Sequence, residues 1–149
     1  MEKSQYDLCV EVLRRLDKIL LKDLGFIVGF AGTQGYIRLE HPQLIVEFLV
    51  PEKGRGSDKP YSLPQLDLNA QSLRFMEFLS LITITSNVGP VKLTLPHPAN
   101  FALHKLLVMT RRHDQAKKEK DKAAAIKVLN VLLDKGLDST IKETFKAMP

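Results

Sequence analysis

The hydrophobic pattern of this 149-residue chain changes period at Pro98, and that change limits the fold more than any other feature. Between Phe26 and Leu95 the apolar residues fall into short segments separated by Gly, Pro, Asn and His, as strands and tight turns require. From Pro98 onward they recur every three or four residues, the spacing of a helix that faces a core. The chain also opens on that spacing, with Leu8, Cys9, Val12, Leu13, Leu16, Ile19 and Leu20 on one stripe. Ser4 and Asp7 resemble a capping box before this stripe, and Gly25 suits its left-handed end. The order predicts an α+β fold: an antiparallel or mixed sheet, an N-terminal helix and a helical C-terminal third. No repeat or linker divides the chain, and its length suffices for a real core. One domain is expected, with residues 1–96 as helix plus sheet and 97–149 as the helical region.

Within the middle part, Phe26–Phe30 and Tyr36–Glu40 flank AGTQG as a hairpin. His41 and Pro42 make a second turn, and Leu44–Val50 reads as the strongest strand. The three predict an antiparallel meander. Residues 51–64 are polar, with three prolines and two glycines, and read as a loop. Apolar residues at helical spacing predict a short helix over Gln71–Leu79. Leu81–Thr85 and Val91–Leu95 flank SNVGP as another hairpin. Helices are expected over Phe101–Arg112 after Pro98, from near Asp114 to Gly136, and from Ser139 to Ala147.

Composition narrows the function classes. Lys and Arg total 22 against 17 Asp and Glu, a formal charge of +5, which favours anionic partners such as nucleotides or nucleic acid. The surplus is concentrated in Lys53–Lys59 and Arg111–Lys127. One cysteine excludes an intrachain disulfide, and Cys9 falls on the apolar stripe as a small buried hydrophobe. No apolar run reaches the length of a membrane span and no signal-peptide core opens the chain, so a soluble cytoplasmic protein is expected. The four histidines lack HxxxH or HExxH spacing, and no GxSxG elbow is present. Glycines 29, 32 and 35 precede neither a GKS nor a GKT motif and read as turn glycines.

Three features could carry chemistry. Glu47 sits inside the apolar strand LIVEFLV, where an unpaired buried carboxylate is costly. Alternation puts Glu47 on one face with Ile45 and Leu49, opposite Val46 and Phe48. If Ile45 and Leu49 are buried, Glu47 needs a metal, Arg or Lys; if that face is open, Glu47 reaches water. Lys105 lies between Phe101 and Val108 on a mostly apolar helix stripe. It either snorkels to the surface or meets a carboxylate or phosphate inside a cleft. In RRHDQAKKEKDKAAA most charges read as a solvated face, but Asp121 stands where the charged segment enters the apolar one.

The pieces VEFLVP (46–51), GRGSDKP (54–60), LPQL (63–66), QSLRFMEFL (71–79), PANFALHKLLVMTRR (98–112) and KKEKDKAAA (117–125) follow one another in an order that resembles a bacterial nucleotidyltransferase-like family. The resemblance implies a DNA-polymerase-β-like nucleotidyltransferase that moves a nucleotide from an NTP to an acceptor. Such enzymes hold divalent metal, here Mg²⁺, on a DxD pair and a third carboxylate. By resemblance Glu47 takes the third-carboxylate, catalytic and metal-binding position. Arg55, Lys59 and Lys105 are then nucleotide-binding, with Arg112 and Asp121 in support.

The family's Gly-rich start and DxD pair would precede the opening helix, and neither occurs near it in this chain. One carboxylate does not organise two metals, so the expectation is a transferase that is incomplete or inactive alone, completed by a partner chain or supplied from elsewhere. The alternatives are a non-catalytic module for nucleotide, RNA or protein, and a scaffold or homodimer built on strand edges or the C-terminal helices.

Overall fold

The computed structural model describes residues 7, 10, 11, 24–31, 34–54, 59–64 and 68–149. Asp7, Val10 and Glu11 are helical; the rest of the expected N-terminal helix, Cys9 included, lies outside the described residues. The fold is α+β, as the change of period predicts. The chain divides into two compact units, residues 1–73 with 87–93, and residues 74–86 with 94–149.

The first unit holds the expected meander. β1 (Ile27–Ala31), β2 (Tyr36–His41) and β3 (Leu44–Glu47) pair antiparallel in that order. Val28 lies opposite Leu39, and Leu39 opposite Val46, so these three share a face. Buried Phe26 and Leu39 form the core there, packed by Leu24, Leu44, Val46 and Phe48. Gly35 turns β1 into β2 at φ +74°, a conformation that favours glycine.

The expected strand Leu44–Val50 is two strands. At Phe48 the backbone leaves β2, and β4 (Leu49–Pro51) pairs in parallel with β6 (Leu68–Leu73). Inward and outward side chains keep alternating through the break, so the pattern hides the change of partner. The second sheet has the order β4-β6-β5, and β5 (Tyr61–Leu63) lies inside the segment expected to be all loop. The expected helix Gln71–Leu79 is also corrected. Gln71 N–H donates to the Phe48 carbonyl at 2.9 Å and keeps the chain extended to Leu73. Only α1 (Met76–Leu79) is helical, and Phe75 before it takes a left-handed φ of +56°.

Asn69 ties the two sheets of this unit. Its Oδ1 accepts from Ile37 N–H at 2.7 Å and its Nδ2 donates to the Gly35 carbonyl at 3.1 Å. Asn69→Ala removes both bonds and orphans a half-buried amide. It is expected to lower the unfolding free energy by about 2 kcal/mol in denaturant titration.

β7 (Thr83–Val88) and β8 (Val91–Pro96) form the second hairpin, and pairing runs through Ser86–Val88 to a turn at Gly89. In the second unit α2 (Pro98–Met109) starts with Pro98 in its first turn, and His97 Nδ1 accepts from Ala99 N–H. It ends three residues before the expected Arg112. α3 (Gln115–Asp134) is capped by Asp114, which accepts from Lys117 N–H at 3.0 Å. Gly136 closes it at φ +70°, with Leu137 N–H on the Leu132 carbonyl and Gly136 N–H on that of Leu133. This double bond is the Schellman arrangement. α4 (Asp138–Lys146) follows. Ala99, Ala102 and Ala125 are wholly buried with Leu103, Leu132 and Phe78. Among the described residues no helix is long and apolar enough to cross a membrane.

Candidate functional site

Glu47 ends β3 with its side chain on the open face of the meander. Ile45 and Leu49, which share that side by alternation, are 52% and 44% exposed, so the condition that would force a buried partner on Glu47 is not met. The charge inside an apolar strand thus has a plain structural answer. Val46 and Phe48 face the core, and the carboxylate faces out.

The open face carries more than Glu47. Arg38 lies opposite Glu47 in the ladder, and Glu40 is two residues further along the same strand on the same face. Arg38 Nε donates to Glu40 Oε1. Gly29 sits across from Arg38 in β1, and a Cβ there would overlap the Glu40 carboxylate. Gly29 is therefore a strand residue that leaves room for a side chain, which corrects its reading as a turn glycine. Gly32 lies outside the described residues. Arg38 and Glu40 were not singled out in the sequence; alternation through YIRLEH puts both charges on one face, and the pairing of β2 with β3 makes it the face of Glu47.

Lys59 is exposed just before β5, and Arg55 lies outside the described residues. Among the described residues no group of three or more His, Cys, Asp or Glu could hold a metal ion. Glu40 is committed to Arg38 and a guanidinium stands opposite Glu47, so these residues by themselves do not fit a Mg²⁺ centre.

In the second unit Lys105, Arg112 and Asp121 come together. Asp121 on α3 accepts from Lys105 Nζ at 2.8 Å through Oδ1, and from Arg112 Nε at 2.7 Å through Oδ2. The Lys105 ammonium also lies 5.6 Å from the centre of the Phe101 ring. Lys105 thus meets a carboxylate, and both oxygens of Asp121 are used. Burial alone would raise the Asp121 pKa, but the two hydrogen bonds outweigh it and hold the group below its ordinary value.

His104, beside this cluster, is buried, and its Nε2 lies 2.8 Å from the Arg74 carbonyl. A carbonyl only accepts, so Nε2 carries the proton. Burial lowers the His104 pKa, against the raising effect of that hydrogen bond, and the Lys105 charge lowers it further. One turn earlier Asn100 Nδ2 donates to the Phe78 carbonyl at 2.9 Å. Two buried polar residues of α2 therefore fix the backbone on both sides of the left-handed Phe75. Sequence reasoning missed this pair; their four-residue spacing is its only trace.

Over residues 8–148 the sequence matches the model of a family described as Nucleotidyltransferase. No curated protein and no solved structure matches it. The match runs through nearly the whole chain and both units, so the chain belongs to that family.

Proposed function

We propose that this member of the nucleotidyltransferase family binds a nucleoside triphosphate and passes its nucleotide to a hydroxyl of an acceptor, with Glu47 as the catalytic carboxylate. The observation that carries this reading is the family match across residues 8–148. In the transfer the acceptor oxygen bonds to the α-phosphorus, the α–β bridging bond breaks and pyrophosphate leaves. The acceptor proton needs a base, and an outward carboxylate at the end of β3 is reachable by an incoming hydroxyl. Arg55 and Lys59 in the segment after β4 supply positive charge for the triphosphate. Lys105, Arg112 and Asp121 brace the helical unit, and Lys105 spends its charge on Asp121.

A second reading is a module that binds NTP without turnover. It is supported by the pairing of Glu40 with Arg38, which leaves Glu47 as the carboxylate outside that ion pair. Calorimetric titration with an NTP, alongside a transfer assay with labelled NTP and Mg²⁺, separates the two. NTP binding is expected in both cases, weakening about tenfold in Arg55→Ala and in Lys59→Ala. Binding with no label transferred to any acceptor tried favours the second reading. Absence of NTP binding overturns both.

A further inference from the structure

We propose that the stretch of α3 from Lys117 to Lys127 is a docking surface for the phosphate backbone of a nucleic acid. Residues 111–127 hold seven of the chain's Lys and Arg against three Asp and Glu, a surplus of four when the whole chain has five. The structure shows where each of these charges goes. Asp114 is used as the helix cap, Glu119 accepts from Gln115 Nε2, and Asp121 is buried under Lys105 and Arg112. Arg112 is spent on Asp121, and Arg111 lies over the Phe75 ring at 5.4 Å. The remaining cations are Lys117, Lys118, Lys120, Lys122 and Lys127, of which Lys117, Lys120 and Lys127 fall on one exposed side of the helix by its spacing. Among the described residues none of these five has an ion-pair partner.

This arrangement works against the helix. The N-terminal end of a helix carries partial positive charge and favours acids; Asp114 supplies one at the cap, but the first turn beyond it has none and holds lysines instead. A helix selected for stability alone would put Glu where Lys117 and Lys118 stand. An anion supplied from outside offsets both the dipole and the mutual repulsion of the lysines.

The chemistry favours phosphate in a repeating array. From Lys117 to Lys127 the helix rises about 15 Å, the axial span of roughly four phosphates on one strand of a duplex. Lysine acts as a point charge suited to backbone phosphate, without the fork that a guanidinium offers a carboxylate. No aromatic residue lies among these lysines to stack on bases, so the contact is independent of sequence. A lipid surface is disfavoured because, between Lys117 and Lys127, Ile126 alone is an exposed large apolar side chain, too little to insert among acyl chains.

The test is fluorescence anisotropy of the full chain with a labelled 20-base-pair RNA duplex across a salt series, without NTP. Wild type is expected to bind at low salt, with log affinity falling linearly against log salt. The combined variant Lys117→Gln, Lys120→Gln, Lys127→Gln is expected to lose at least tenfold in affinity, and its salt slope is expected to fall by about three. The same three positions changed to Arg should restore binding, which a purely structural role would not predict. The Gln variant should melt close to wild type, since all three side chains are exposed and, among the described residues, have no ion-pair partner. The proposal is overturned if wild type does not bind the duplex at low salt or if the Gln variant binds equally. Binding to phosphatidylserine vesicles in preference to the duplex also overturns it.

Discussion

Glu47→Gln is expected to reduce nucleotide transfer by about 10²-fold or more while leaving NTP affinity and stability close to wild type. The stability half follows from position. Glu47 ends β3 on its exposed side, and exposed substitutions without a special partner shift stability by about 0.5 kcal/mol or less. Gln keeps the shape and removes only the charge and the basic oxygen. A loss of transfer without a loss of binding therefore locates the function of Glu47 in the chemical step. Equal loss in Glu40→Gln would move the assignment to its neighbour, since both stand on the same face with Arg38 between them. Full transfer by Glu47→Gln would remove Glu47 from the mechanism.

The parts of the fold legible in the sequence are those set by local chemistry. Pro98 in a first turn, Asp114 as a cap and Gly136 in the left-handed region each mark a helix boundary through their own backbone needs. The switch at Phe48 is different. Leu49 pairs with Gln71, twenty-two residues on, and nothing within LIVEFLVP distinguishes that parallel partner from a continued β2. The segment QSLRFMEFL shows helical spacing because its two halves bury apolar residues in different elements. The joint is Phe75, a non-glycine residue with positive φ that no local signal announces. It is held there by His104 and Asn100 reading the carbonyls of Arg74 and Phe78, contacts that span 30 and 22 residues.

The candidate site was legible to the same extent. Glu47 stood out because its charge breaks an apolar run, and Asp121 because it sits at a change of composition. Arg38 and Glu40 were hidden because in YIRLEH they look like the ordinary wet side of a strand. Only the pairing of β2 with β3 puts them beside Glu47.

Asp121→Asn is expected to lower the unfolding free energy by about 2–3 kcal/mol, seen as a melting midpoint about 5–10 °C lower. Breaking a fully buried ion pair costs more, but here the cations can turn partly to water, Lys105 being 28% and Arg112 37% exposed. The pH dependence gives an independent reading. The folded pKa of Asp121 is depressed, so its stabilisation is fully present above the ordinary carboxylate value of about 3.9 and is lost as pH falls through the folded value. The gap between wild type and Asp121→Asn should therefore be constant from about pH 7 to pH 8 and close in strong acid, below the folded value of Asp121. His104 acts earlier in the same direction: kept neutral by burial, it contributes stability above about pH 6.5 that is lost as pH falls through its lowered value. The Asp121 charge is one of the groups that raise the His104 pKa, so in Asp121→Asn that value falls further and the loss below about pH 6.5 is somewhat larger. Lys105→Met in the Asn background should cost less than Lys105→Met alone, because the carboxylate it would strand is already gone. Additive costs would mean that the three charges do not act as one brace.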